Sequence, residues 1–426
     1  MFIWRAGNTP LCSSDVCDNM AHQIVVLGAG YGGAASIKAI ESELDDGDDV
    51  DLTWISEHDY HLLLHEVHRC IRTPAAREHI VIPIDEITPP ETTFIEGTVD
   101  AVDVDERVVE LDDETIEYDD LIICLGSETA YYGIDGLEEH GLTVKSLDDA
   151  LSIHEEIKWT SIEASNDDPA KIIVGGGGLT GIEVAGEIAA FGNSHSSASL
   201  TVSILQRSAE LFPGHDHELQ GAIRNHLEQS GVDIETEAAI SAVDDSTVQI
   251  EERDPIDYDV FVWAGGITGP PALDDAALDK DHDRVYTDSA LETSADNVFA
   301  VGDAALMDQD EERGPVGEEL IWRSIARRSP ATNAAPPTSQ AAWEAGDVLG
   351  RNVVRSMNGQ EPIDWEYVNK GTVVSIGDRA VAHGIMGVPI NTFSGHPARF
   401  LKKAISARWI SDISTWQRAA RAWPYM

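Results

Sequence analysis

Lysine is scarce in this chain of 426 residues: only eight of its 28 basic residues are Lys, they face 77 Asp and Glu, and the formal net charge is −49. A field of that sign repels a polyanion, which excludes nucleic acid as a partner. Acidic surfaces poor in Lys suit a salt-saturated cytoplasm, where the Debye length shrinks to about 3 Å at 1 M ionic strength and self-repulsion largely disappears. The acidity is therefore read as adaptation to salt and not as function. Long apolar runs are also missing. No stretch of about 18 apolar residues occurs, which excludes a spanning helix, and residues 1–7 have neither the basic flank nor the apolar length of a signal peptide. A cytoplasmic protein is expected unless something attaches it to a membrane.

Cysteine is nearly absent, with four in all. Cys12 and Cys17 have a Cys-x4-Cys spacing but sit in a polar leader, residues 1–20, with Met20 as an alternative start. Cys124 lies in the apolar run 121–125, where a small buried hydrophobe is the default. No disulfide and no metal site is expected. His58, His61, His65 and His68 raise a metal hypothesis, because helical spacing would align the last three on one face and three imidazoles can hold zinc. No carboxylate base or supporting motif accompanies them, and they are not assigned to a metal.

What remains is ordinary for a folded protein, 42 % hydrophobic and 25 % charged, long enough for two or three domains. A short apolar strand at 22–27 runs into Gly28-Ala29-Gly30-Tyr31-Gly32-Gly33 and on into a helix-forming stretch. Gly28 permits the tight turn, Gly30 lets the backbone approach a pyrophosphate, Gly33 lets helix and strand pack, and the helix N-terminus supplies a positive field. A second strand, 50–55, leads to Glu57, 29 residues beyond Gly28, where a ribose hydroxyl needs an acceptor.

The same grammar returns downstream. Strand 171–174 precedes Gly176-x-Gly178-x-x-Gly181, the next helix carries Glu183 and Glu187, and strand 200–205 ends at Gln206, 30 residues beyond Gly176. Two loops at matching intervals mean two dinucleotides. Glu57 accepts from a 2′-hydroxyl and repels a 2′-phosphate, whereas Gln206 is neutral and Arg207 beside it can pair with phosphate. The second nucleotide is thus NADH or NADPH, with a slight lean to NADH.

Residues 396–426 reverse the charge: Arg399, Lys402, Lys403, Arg408, Arg418 and Arg421 stand against Asp412 alone, a net of +5. Leu401, Ile405, Trp409, Ile413, Trp416, Ala420 and Trp423 recur at helical steps, so 398–423 is expected to form one amphipathic helix lying in a membrane interface. Its Trp side chains would sit at headgroup depth and its cations would face anionic lipid. Removing 396–426 is expected to leave NADH-driven dye reduction intact and to release the protein from membranes.

Two further segments, Tyr118-Asp119-Asp120-Leu121-Ile122-Ile123-Cys124-Leu125-Gly126-Ser127 and Asp296-Asn297-Val298-Phe299-Ala300-Val301-Gly302-Asp303-Ala304-Ala305, resemble the remaining signatures of two-dinucleotide flavoprotein oxidoreductases. Within that superfamily the chain most resembles type II NADH dehydrogenases. That resemblance rests on Asp59-Tyr60-His61-Leu62, Trp263-Ala264-Gly265-Gly266-Ile267, Pro337-Thr338-Ser339-Gln340-Ala341-Ala342-Trp343-Glu344 and Asn369-Lys370-Gly371-Thr372-Val373-Val374-Ser375-Ile376-Gly377, and extends over about residues 22–426.

The resemblance implies an FAD-dependent enzyme that passes electrons from NADH to membrane quinone without proton pumping, as a peripheral homodimer on the cytoplasmic face of the cell membrane. It implies FAD contacts for Gly126, Gly302 and Asp303, and a second-nucleotide contact for Gly265. It also implies catalytic positions for Glu183 near the nicotinamide, Lys370 beside the isoalloxazine and Gln340 beside flavin and quinone. Where the family pattern Ala-Gln-x-Ala-x-Gln ends in a second Gln, this chain has Glu344. That carboxylate can accept a hydrogen bond from a hydroquinone, yet it adds charge to an apolar slot.

The expected fold class is α/β, with two Rossmann-like dinucleotide-binding domains and a C-terminal amphipathic helical segment. An FAD-binding domain, 21–145 and 268–330, would be split around an NAD(P)H-binding domain, 146–267. A C-terminal interface and quinone-site region, 331–395, and the basic membrane-binding tail, 396–426, would follow. Other readings share the motifs: a soluble reductase with a ferredoxin-type acceptor, a non-enzymatic flavin redox sensor and a sulfide:quinone oxidoreductase. The last needs two reactive Cys near the flavin, and no Cys follows residue 124.

Overall fold

Apolar runs buried on both faces belong to parallel sheets, and the strand His22–Leu27 is such a run, with Ile24, Val25, Val26 and Leu27 all buried. The structure is a computed structural model that describes residues 21–45, 47–112, 114–195, 199–309 and 334–426; the leader with Cys12 and Cys17 lies outside these. His22–Leu27 is the middle of a five-stranded sheet in the order Val298–Ala300, Asp120–Ile123, His22–Leu27, Val50–Ser56, Thr92–Glu96, with every neighbouring pair parallel. A four-stranded parallel sheet repeats the plan in the order Val232–Glu235, Leu200–Leu205, Ala170–Gly175, Val260–Trp263. In both, a three-stranded antiparallel meander precedes the strand on the far side of the central one: 99–117 before Asp120–Ile123, and 240–257 before Val260–Trp263.

Two features join these halves. Glu128–Thr129 pairs antiparallel with Ile267–Thr268, so both chain crossings between the sheets lie side by side. Strand Val298–Ala300, after the second sheet in sequence, returns to the edge of the first. The helix Ser339–Met357 then packs along Tyr31–Glu43 at close range, because Gly346 presents no side chain: a Cβ there would lie 2.5 Å from the Gly32 carbonyl oxygen. That approach sets the start of the later helix beside the first glycine loop.

The tail departs from the expected single helix. It forms two, His396–Ile413 and Trp416–Ala422, and Thr415 caps the second by accepting from the Arg418 N–H. The first covers the antiparallel sheet Thr372–Ile376, Arg379–His383, Thr392–Ser394, and buries Ala398, Lys402, Ser406, Trp409, Ile410 and Ile413. Of the expected apolar stripe only Trp409 and Ile413 are buried, while Trp416 is 68 % exposed. Apolar periodicity misplaces the inner face because that face includes a lysine and a serine, which bond to carboxylates of the body.

The tail is therefore part of the folded body, which argues against its removal leaving the chemistry intact. Truncating a buried Trp costs about 3–5 kcal/mol, so Trp409→Ala should lower the urea unfolding free energy by that amount. Deleting 396–426 should give protein that no longer retains flavin through gel filtration, read from the visible absorbance of the eluted peak.

Candidate active site

Both glycine loops need glycine for two opposite reasons. Gly28 and Gly176 have φ of +98° and +107°, a left-handed backbone that side chains rarely adopt, and a Cβ at Gly28 would lie 2.3 Å from the Cys124 carbonyl oxygen. A Cβ at Gly33 would meet the Gly28 oxygen at 2.0 Å, and one at Gly181 the Gly176 oxygen at 1.9 Å. Around Gly30 and Gly178, in contrast, a Cβ would meet nothing within 4 Å. These two residues are the N-caps of helices Tyr31–Glu43 and Leu179–Ser194, and no side chain caps either helix. Open space, unpaired N–H groups and the positive end of a helix dipole suit a pyrophosphate at each loop.

The ribose positions differ as their chemistry suggests. Glu57 is exposed just beyond the strand Val50–Ser56. Gln206 is buried and braces its own loop: its Oε1 accepts from the Gly177 N–H at 2.7 Å, and its Nε2 donates to Ser208 Oγ. The amide oxygen keeps a second lone pair for a hydroxyl. Arg207 beside it is exposed. Gly265 and Ala264 close over this loop, since a Cβ at Gly176 would sit 2.6 Å from the Ala264 oxygen.

Gly302 has φ of +80° and turns the chain after Val298–Ala300, which presents Asp303 in a short 3-10 turn. Ser127 donates to its carboxylate at 3.4 Å, and Lys145 donates to Ser127 Oγ at 2.7 Å. Arg284 donates to the carbonyls of Asp303 and Ala305, both at 2.7 Å. Burial lowers the Lys145 pKa, and Asp303 opposes that shift. Gly126 has φ of +77° and open space where a Cβ would be. Sequence reasoning missed Lys145 and Arg284. The scarcity of Lys was the one signal for Lys145, and nothing in the local pattern marks Arg284.

Three of the four expected catalytic residues meet. Lys370 Nζ lies 2.6 Å from Glu344 Oε1, and Gln340 Nε2 lies 3.5 Å from Glu344 Oε2 and donates to the Val368 carbonyl at 3.0 Å. Ala342, on the same helix, is 3.6 Å from where a Gly302 Cβ would be, so the helix that carries Gln340 and Glu344 borders the Asp303 turn.

Glu183 belongs to a different assembly, and among the described residues no hydrogen bond or ion pair joins it to those three. It is 5 % exposed. Lys402 of the tail donates to its Oε1, the Ser375 N–H donates to the same oxygen at 3.0 Å, and His68 Nδ1 lies 3.4 Å from Oε2. Burial raises its pKa, and the Lys402 ammonium opposes the rise. Pairing continues through Glu66 to Arg69 (2.5 Å), Arg69 to Glu187 (3.5 Å), and Glu187 to Arg72 (2.8 Å). Arg72 reaches Asp378 at 2.9 Å. A buried ion without a partner costs several kcal/mol, which explains why each has one.

The histidines do not share a helix face. His61 lies on the strand Tyr60–Leu62, His65 in the 3-10 turn Leu64–Glu66, and His68 at the start of Arg69–Arg72. Trp409 Nε1 donates to His61 Nε2 at 2.9 Å, so the His61 Nδ1–H donates to the Ala29 carbonyl at 2.8 Å and the ring is neutral. His65 bridges Tyr31 and Ser406, and Ser406 donates to Glu66 at 2.7 Å. Trp409 stacks on Trp343 at 5.1 Å between centroids, with Tyr31 against it. The metal-competent group among the described residues lies elsewhere, at Asp216, Glu218 and His383.

Burial pushes the pKa of His61 and of His65 from 6.5 down to about 4. The unfolded chain therefore takes up these protons first, and stability, full above about pH 6.5, falls as pH drops from there toward 4. Each imidazole contributes up to about 1.4 kcal/mol per pH unit of slope, and His65→Asn should remove one share from urea unfolding free energies measured between pH 7 and 5. Lys402→Met should cost about 3–5 kcal/mol by stranding Glu183, and the double variant with Glu183→Gln should cost less than that single change, as a double-mutant cycle of urea unfolding would read.

Comparison with known proteins agrees with this geometry. Residues 22–344 match the family described as Pyridine nucleotide-disulphide oxidoreductase. The Type II NADH:quinone oxidoreductase of Staphylococcus aureus is 26 % identical over 409 residues, covering 92 % of this chain and 96 % of that protein. Its namesake in Staphylococcus haemolyticus is 28 % identical over 408 residues, with the same coverage of 92 % and 96 %. Among solved structures, NDH2 from Plasmodium falciparum in complex with NADH superposes with a TM-score of 0.74 at 18 % identity, covering 95 % of this chain and 97 % of that one. The sulfide:quinone oxidoreductase of Aquifex aeolicus gives 0.73 at 16 % identity, covering 92 % and 91 %. These structural likenesses speak to the fold, an α/β arrangement of two dinucleotide-binding units. The match across most of its length makes this chain an oxidoreductase of the pyridine nucleotide-disulphide oxidoreductase family.

Proposed function

We propose that the chain is a type II NADH:quinone oxidoreductase that passes electrons from NADH through FAD to a membrane quinone, without proton pumping, on the cytoplasmic face of the cell membrane. The observation that carries this reading is the coexistence of two open, uncapped glycine loops with the Gln340–Glu344–Lys370 group, whose helix borders the Asp303 turn. The residues fit FAD: Gly28, Gly30, Gly33 and Glu57 would hold its ADP half, and Gly126, Gly302 and Asp303 its ribityl side, with Lys145 and Arg284 fixing Asp303. Bound there, FAD supplies two-electron chemistry.

Gly176, Gly178, Gly181, Gln206 and Gly265 would hold the nicotinamide dinucleotide. A neutral Gln206 turned into its loop, with Arg207 pointing to solvent, favours NADH over NADPH. Glu183, two residues beyond Gly181, would orient the carboxamide. Gln340 would hydrogen-bond the quinone head.

Attachment to lipid is supported by composition and exposure together. Residues 379–411 hold no Asp or Glu in a chain with 77 of them. This acid-free stretch exposes Met386, Val388, Ile390 and Phe400, and Trp416 follows. The tail thus has an inner face packed on the body, where Lys402 and Ser406 accompany apolar side chains, and an outer face that presents Phe400 and Trp416 for the membrane. No described helix is long and apolar enough to span it.

The test is stopped-flow absorbance of the purified flavoprotein in high salt. NADH should bleach the flavin faster than NADPH does, and a short-chain quinone should then restore the oxidised spectrum. Bleaching without quinone-driven recovery would overturn the quinone assignment in favour of a protein acceptor.

A further inference from the structure

We propose that Glu344 and Lys370 form a two-residue relay that delivers one proton from solvent to the quinone, an inference that rests on the quinone reading above. Stoichiometry demands such a path. NADH gives up a hydride equivalent, two electrons with one proton, whereas a quinol has gained two electrons and two protons. One proton per turnover must therefore come from water.

The geometry supplies a route. Lys370 is 50 % exposed at its side chain and Glu344 only 19 %, and their Nζ and Oε1 are 2.6 Å apart, so the pair runs from water into the body. The other carboxylate oxygen faces Gln340 Nε2 at 3.5 Å, on the same helix that borders the Asp303 turn through Ala342. Tyr367, on the segment leading to Lys370, is the further titratable group acted on by Glu344; its phenol is raised chiefly by burial, and the Glu344 charge adds to the rise. Stability offers little reason for this carboxylate, since an ion pair with one half-exposed partner is worth at most about 1 kcal/mol and the carboxylate loses hydration on entering the body. The type II pattern has a glutamine at this position, and an amide cannot carry a proton in and out.

The step balances. An N–H bond of the Lys370 ammonium breaks, its electron pair stays on nitrogen, and the proton passes to Glu344. The Glu344 carboxyl turns and gives its proton to the quinol monoanion, which has already taken up two electrons and the one proton that come from NADH, and which so becomes quinol. Solvent reprotonates Lys370, and the pair returns to ammonium and carboxylate with one proton consumed. The relay involves no change of oxidation state, because the electrons arrive from NADH.

The experiment uses the full-length flavoprotein, reduced anaerobically with NADH and mixed with a short-chain quinone, as wild type, Glu344→Gln and Lys370→Gln. Positioned acids contribute about a hundredfold or more, so the ratio of reoxidation rate to bleaching rate should fall about a hundredfold in Glu344→Gln. Added acetate, a mobile proton carrier, should recover part of that loss. Infrared difference spectra of the oxidised protein without turnover provide a second readout: a carboxylate band of the wild type should be missing from Glu344→Gln and displaced in frequency in Lys370→Gln, which lacks the ammonium 2.6 Å away. An unchanged rate ratio, or a loss that acetate does not relieve, would overturn the relay and leave the quinone reading standing. Wild-type protein that quinone fails to reoxidise would remove both.

Discussion

An ammonium held at 5 % exposure has to meet a carboxylate, and the pairing of Lys402 with Glu183 is the contact on which the arrangement of this molecule turns. Glu183 sits on the helix that follows the second glycine loop, Lys402 on the first tail helix, and Ser375, which also donates to Glu183, on the sheet between them. One carboxylate thereby ties the helix after the second glycine loop to the C-terminal segment. The neighbouring pairs Glu66–Arg69 and Glu187–Arg72 extend the tie to the segment after Glu57. Such a cluster has little tolerance for partial loss, because any deleted member strands a charge in low dielectric.

The first glycine loop depends on the tail by a second route. The Ala29 carbonyl accepts from His61, and His61 accepts from Trp409, so a tail residue reaches the first glycine loop through one neutral imidazole. Trp343, stacked on Trp409, sits between Gln340 and Glu344 in sequence and on the same helix. The chemistry-bearing group and the tail therefore share a wall, and a shift of the tail helix must be felt at both the loop and the Glu344 helix.

Most of the fold was legible in the sequence because it is written in short-range terms. Gly28-x-Gly30-x-x-Gly33 between an apolar strand and a helix has one structural solution, and the second copy has the same. The group of Gln340, Glu344 and Lys370 was legible only through a family likeness, as nothing in spacing brings residue 370 to residue 344. The tail was misread for a physical reason. Periodicity scores apolar residues, and the inner face of this helix carries Lys402 and Ser406, whose partners Glu183 and Glu66 are more than 200 residues away in the chain. The histidines were misjudged likewise: three- and four-residue spacing means one face only if the segment is one helix, and here it is a strand, a turn and a helix start.

High salt sharpens the distinction between contact pairs and long-range fields. With a Debye length of about 3 Å at 1 M ionic strength, the net charge of −49 exerts little force across the molecule, while a pair in contact still feels its partner. Lys370 and Glu344, 2.6 Å apart, are such a pair, and the buried network around Glu183 is shielded further by exclusion of solvent. The attraction of a basic tail for anionic lipid belongs to the opposite class. It would act across hydration layers and fade in such a medium, so the proposed attachment would rest on Met386, Ile390, Phe400 and Trp416 removing apolar surface from water. That division fits the composition of the last segment, in which residues 379–411 carry no acid and the buried Lys402 is paired with Glu183 where salt cannot compete.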